Sequence, residues 1–193
     1  MTLVTTWLAG LRAALPAGDC KKLARIQGAG KPQLAALRAA FPSCPASLLE
    51  LLEHIDGTYT GKNRVLILGS DVGEGTYPYY LLSAKEMLDE KGGLHAESIA
   101  DIYGRTARER SQWVKVSRRI DVALPMDRRL CFAHCMNNGG SSRLYLDFNP
   151  TLNGKAGQVM RFLHDPDSYA VIADSFDDYL QRLLDGGFAF VEP

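Results

Sequence analysis

The sequence predicts an α+β domain: an antiparallel sheet of about five to six strands with a four-strand C-terminal meander, and helices packed on one face and at its ends. Three observations carry this. Apolar residues recur at helical spacing early in the 193-residue chain. Short apolar or alternating segments separated by turn residues dominate from Leu130 onward, and a capped amphipathic stretch follows them.

Val4, Leu8, Leu11 and Leu15 mark a first helix, stopped by Pro16. A second follows Pro32 with Leu34, Leu37 and Phe41. Pro42-Ser43-Cys44-Pro45 breaks the chain, and Pro45 suits the first turn of a third helix. That helix buries Leu48, Leu51, Leu52 and Ile55, exposes Glu50, Glu53 and His54, and stops at Asp56-Gly57. Residues 65–68 form an apolar run too short for a helix and read as a buried strand, with 79–82 as its partner. Ser83-Ala84-Lys85-Glu86 has capping-box spacing and starts a helix through about Lys91. Residues 92–112 are poorly legible, with a helix expected around 96–103. Segments 113–116 and 120–124 read as one interrupted strand.

From Leu130 the pattern sharpens. Strands 130–136 and 143–148 flank a Gly-rich turn, 137–142, and so form a hairpin. Leu144, Leu146 and Phe148 share one face; Tyr145 and Asp147 share the other. A third strand, 158–163, is joined to 169–173 through a turn at 164–167. These connections are too short for parallel crossovers, so the four segments should form a consecutive antiparallel meander. Asp174-Ser175 caps a last helix carrying Phe176, Tyr179, Leu180 and Leu183, and Gly186-Gly187 ends it.

Composition narrows the function classes. Twenty-two basic and 22 acidic residues cancel, so no global field draws the chain to nucleic acid or anionic lipid. No apolar stretch is long enough to span a membrane. Four cysteines without a secretory signal point to reduced thiols and a cytoplasmic setting. Gly28-Ala29-Gly30-Lys31 and Gly57 to Gly61-Lys62 are not phosphate loops, because their spacing is wrong and Pro32 and Asn63 follow the lysines. Gly73-Glu74-Gly75 lacks the third glycine of a dinucleotide loop, and no Gly-x-Ser-x-Gly elbow occurs. Cys131, His134 and Cys135 are the nearest approach to a metal cluster. Strand alternation puts His134 on the face opposite the two thiols, so neither a metal nor another cofactor is expected.

An ordered series of motifs runs through the chain. Pro45-x-x-Leu48, Ile55-Asp56-Gly57 and Leu82-Ser83 come first. Leu124-Pro125, Leu144-Tyr145-Leu146-Asp147-Phe148-Asn149-Pro150, Gly154-Lys155-Ala156-Gly157-Gln158-Val159 and Ile172-Ala173-Asp174-Ser175-Phe176 with Leu180 follow. The series resembles the SUKH superfamily, in particular the group of fungal cell-wall assembly regulators and bacterial immunity proteins. The likeness spans roughly residues 45–185, within a single domain of residues 1–193 in which 1–44 form an N-terminal helical extension. The resemblance implies a non-enzymatic binding module without catalytic residues. Bacterial members are largely immunity proteins that neutralise toxins by direct contact.

Candidate partner-binding residues are Tyr145, Asp147, Asn149, Asp174, Asp177 and Asp178. Asp147 and Asn149 could face a partner, or Asn149 could fix its loop by a hydrogen bond. The neutral total also hides two local charge concentrations. Residues 105–129 hold eight basic side chains against Glu109, Asp121 and Asp127, whereas the chain from Leu163 onward holds seven acidic residues and only Arg182. A solvated face explains most of each, yet the acidic end could steer a basic toxin. The resulting expectation is a cytoplasmic immunity protein that binds a toxin domain, with no membrane partner and no nucleic acid. The alternative is a regulatory adaptor contacting an acidic or phosphate-bearing partner through residues 105–129.

Overall fold

The Thr2 hydroxyl accepts the backbone N–H of Thr5 and opens α1 (Leu3–Ala14), whose stripe Val4, Trp7, Leu8 and Leu11 is buried. The computed structural model describes residues 1–59, 61–72, 75–91, 96–135, 142–164 and 166–191. Pro16 ends α1 as expected but also precedes a short helix the sequence reading missed, α2 (Ala17–Leu23). Then come α3 (Lys31–Ala40) and α4 (Ala46–His54), with Leu37, Phe41, Leu48, Leu51, Leu52 and Ile55 buried. Helix α5 (Ala84–Asp89) has the anticipated capping box: the Glu86 N–H donates to Ser83 Oγ at 3.2 Å and the Ser83 N–H to Glu86 Oε2 at 2.7 Å.

The sheet has seven strands: β1 (Leu68–Val72), β2 (Gly75–Leu81), β3 (Lys115–Val116), β4 (Leu130–Cys135), β5 (Ser142–Asp147), β6 (Gln158–Leu163) and β7 (Ser168–Ala173). Their spatial order is β1-β2-β4-β5-β6-β7-β3. The expected meander is present, β4 to β7 pairing consecutively and antiparallel. Its Gly-rich turn lies, but for Ser142, outside the described residues, as do Gly73, Glu74 and Asp165.

Three expectations need correction. The sheet is mixed and larger than the expected five to six strands, because β3 pairs parallel with β7. Only Lys115–Val116 of the supposed interrupted strand is a strand; farther on, the Val122 carbonyl accepts the Ala100 N–H at 2.9 Å and Pro125 bridges Ser98. Residues 65–67 precede the first strand rather than forming it. Val65 and Ile67 are buried, and the Ile67 N–H donates to the Tyr79 carbonyl at 3.1 Å, so the run leads into the ladder and its last residue, Leu68, pairs with the expected partner segment at Tyr79.

Against one face of the sheet lies a helical layer in which α1 and α4 pack on α8 (Phe176–Asp185). Ser175 caps α8, and Phe176 meets Phe132 edge-on at 5.4 Å between ring centroids. After α8 the chain turns at Phe188, a non-glycine residue at φ 57°, and buries it against Trp7 at 6.0 Å.

The other face is covered in part by residues 96–129, which include α6 (Ile99–Tyr103) and α7 (Ala107–Arg110). The Tyr103 ring lies against Tyr169 at 6.3 Å, and its hydroxyl donates to the Asp167 carboxylate. This second cover, which the sequence did not announce, buries the Tyr145 and Asp147 face.

Candidate protein-interaction site

A partner-binding role for Asp147 requires that its side chain reach solvent. It is instead fully buried and faces a fully buried Arg129, Nε to Oδ1 3.4 Å. Gln158 donates from Nε2 to Asp147 Oδ2 at 3.1 Å, and the Asn149 N–H donates to Oδ1 at 3.3 Å. Arg129 also donates to the carbonyls of Leu124 at 3.0 Å and Asp121 at 2.7 Å, tying the covering segment to the sheet. Burial pushes the Arg129 guanidinium below its ordinary pKa, and the Asp147 charge works against that shift. Tyr145 is buried beside this network, and burial holds its phenol well above the usual range. Neither Tyr145 nor Asp147 is presented to solvent.

The motif residues interlock in the same structural way. Asp56 Oδ1 accepts the Ala84 N–H at 2.8 Å, and Gly57, at φ 81°, sits so close to Ser83 that a Cβ there would lie 2.6 Å from its nitrogen. Near the other end of the series, Gly157 at φ 86° donates its N–H to the Asp147 carbonyl at 2.8 Å. The upstream motifs join α4 to α5, and the downstream ones fix the β5–β6 connection.

The acidic candidates gather around the start of α8, where most of their charge is already paired. Asp174 lies 2.6 Å from Arg119 Nη2 and 2.6 Å from Lys155 Nζ, and these bonds, Lys155's first, hold its pKa down at about 2. Asp178 accepts from the Asp174 N–H at 2.8 Å and from Arg182 Nε at 3.1 Å. Asp177 accepts from the Ser47 hydroxyl and stays exposed. Asn149 is exposed in a different place, on a groove of about 190 Å³ with Phe41, Lys91, Arg128 and Phe148. The six candidates therefore fall into three locations.

The structure assembles a row of side chains that sequence reasoning missed. Register places Tyr80 opposite His134, His134 opposite Arg143, Arg143 opposite Phe162 and Phe162 opposite Tyr169. Paired residues share a face, so the five form a line across five strands. Tyr80, His134, Arg143 and Phe162 are half-buried, and Tyr59 extends the line with its ring 4.4 Å from His134. Arg64 lies over Tyr59 at 5.1 Å, Phe162 stacks on Tyr169 at 4.7 Å, and Glu90 pairs with Arg143. Burial, aided by Arg143, lowers the His134 pKa. Alternation along each strand was legible, but the register that aligns them was not.

That register also corrects the thiol argument. A bulge between Cys131 and Ala133 puts Cys131 opposite Tyr145 and His134 opposite Arg143, on one face, while Cys135 pairs with Ser142 on the other. His134 therefore shares its face with Cys131 rather than opposing both thiols. Among the described residues no group of three or more His, Cys, Asp or Glu side chains is arranged to hold a metal. Burial pushes the Cys131 thiol up to about 12, which disfavours the thiolate a metal needs. No described helix is long and apolar enough to cross a membrane.

Comparison with known proteins adds one match and one blank. Residues 31–182 match the model of the SMI1 / KNR4 family (SUKH-1). The search of the curated proteins found no match.

Proposed function

Because the chain belongs to the SMI1 / KNR4 family (SUKH-1), which includes immunity proteins and regulators, we propose that it is a non-enzymatic protein-binding domain that neutralises a cognate bacterial toxin by direct contact. The observation that carries this reading is the half-open row Tyr59, Tyr80, His134, Arg143 and Phe162. Aromatic rings and arginine are the side chains that supply most binding energy at protein interfaces. Here they stand on paired strands, and Glu90 fixes Arg143, so little side-chain freedom remains to be lost on docking. The acidic residues around α8 have a lesser part, because Asp174 and Asp178 already face cations.

The test is a search of the gene's native locus for a toxin domain, co-expression with that domain, and binding kinetics. Tyr80→Ala and Phe162→Ala should speed dissociation, since packed contacts control residence time. Asp177→Asn should slow association and leave dissociation nearly unchanged. A folded protein that neither binds the toxin domain nor rescues growth ends this reading.

A second reading, a regulatory adaptor acting through residues 105–129, is favoured by one observation. Lys115 and Arg118 are exposed on one groove, and among the described residues no carboxylate pairs with either.

A further inference from the structure

The basic groove lies at the open edge of the sheet. Strand β3 is the last strand, and its ladder bonds to β7 use alternate residues: the Lys115 N–H donates to the Asp167 carbonyl at 3.1 Å and the Ser117 N–H to that of Tyr169 at 2.9 Å. In a parallel ladder the intervening residue points its backbone groups the other way. The N–H and C=O of Val116 therefore face away from β7, with no hydrogen-bond partner among the described residues. An unpaired strand edge is a template for another extended chain.

The surroundings select the chemistry of that chain. A groove of about 500 Å³ runs along β3, lined by Arg110, Lys115 and Arg118 together with Val114, Val116 and Ile120, and no acidic side chain lines it. Arg110 is held in place by the carbonyls of Gly104 at 2.9 Å and Arg105 at 2.7 Å. Both partners are neutral carbonyls, and they hold the guanidinium at the groove. Just before β3, Trp113 is 70% exposed, and an aromatic ring open to solvent beside a strand edge offers an anchor to an incoming chain.

We propose that an extended segment of a partner protein, alternating acidic and apolar side chains, adds to the sheet beside β3. It pairs with the Val116 N–H and C=O, sets carboxylates against Lys115, Arg118 and Arg110, and packs an apolar residue on Trp113. Period-two alternation in the ligand follows from the strand geometry, which sends successive side chains to opposite faces. The inference rests on the adaptor reading and is independent of the toxin-neutralising one.

The test uses the full chain and a fluorescent peptide of alternating Glu and Val, read by anisotropy at low and moderate salt. A matched peptide carries N-methyl groups on alternate backbone amides, and a third alternates Lys and Val. The Glu–Val peptide should bind, with affinity falling as salt rises. Lys115→Glu with Arg118→Glu should weaken it by about tenfold, as should N-methylation in the register that faces Val116. Both substituted residues are exposed, so the fold should survive, and Tyr80→Ala should leave this binding unchanged. Equal binding of the N-methylated peptides would overturn strand addition while leaving a basic contact in place. No binding of the Glu–Val peptide, or binding of the Lys–Val peptide as tight, would overturn the proposal and the adaptor reading together.

Discussion

Arg129 and Asp147 are an interior ion pair, and they connect the segment that covers the second face of the sheet to the meander beneath it. Losing one partner strands a charge where water cannot reach it. Asp147→Ala should therefore cost about 3–5 kcal/mol in urea unfolding, whereas Arg129→Met combined with Asp147→Leu should be much less damaging. A single substitution that costs no more than the double one would show that the pair does not act as a unit.

Phe176 is fully buried against Phe132 and Tyr179. Phe176→Ala should lower stability by about 3–5 kcal/mol by opening a cavity where the helical layer meets the sheet. Denaturant unfolding checks this, and a loss under about 1 kcal/mol would mean the neighbouring rings close the gap.

Acid should act through Asp174. Bonds from Lys155 and Arg119 lower its pKa in the folded protein from 3.8 to about 2. The group thus contributes stability above the unfolded value, and that contribution disappears as pH falls from 3.8 through about 2. Melting temperature measured across this window should fall less steeply for Asp174→Asn than for the natural sequence. Identical slopes would show that the two bonds do not persist in solution.

The thiols should sort by burial. Cys131 and Cys135 are buried and Cys20 is half-buried, so native alkylation should modify Cys20 first and reach the buried pair only on unfolding. A chelator should leave the melting temperature unchanged. One zinc per chain, lost with the fold on Cys131→Ser, would contradict this and give the shared face of Cys131 and His134 a metal-binding role.

Local signals exposed much of the fold and little of the surface. The Ser83–Glu86 capping box, the Ser175 cap and the short turns of the meander are written within a few residues of sequence, so their elements were legible. Asp147 misled because period-two alternation shows which residues share a face but not whether that face is wet; here a distant segment carrying Arg129 covers it. The row Tyr80–His134–Arg143–Phe162 stayed hidden for a related reason. Its alignment depends on strand register, and a bulge near Phe132 rotates His134 onto a face that simple counting denies it. The α8 carboxylates looked like an acidic patch because Arg119 and Lys155, which neutralise Asp174, are far away in sequence.

The parallel pairing of β3 with β7 also sets an order of assembly. Residues 115–116 wait for residues 168–169, so β3 cannot dock until the meander has reached its last strand. Antiparallel neighbours such as β5 and β6 close over short loops and can pair early, whereas this contact needs a long loop to close first. A chain emerging from the ribosome therefore leaves Val114 and Ile120, both buried in the finished fold, uncovered until residues 168–169 have been made. In the mature protein the same edge should be the first part of the sheet to open, with the amides of Lys115 and Ser117 exchanging with solvent before those of β5.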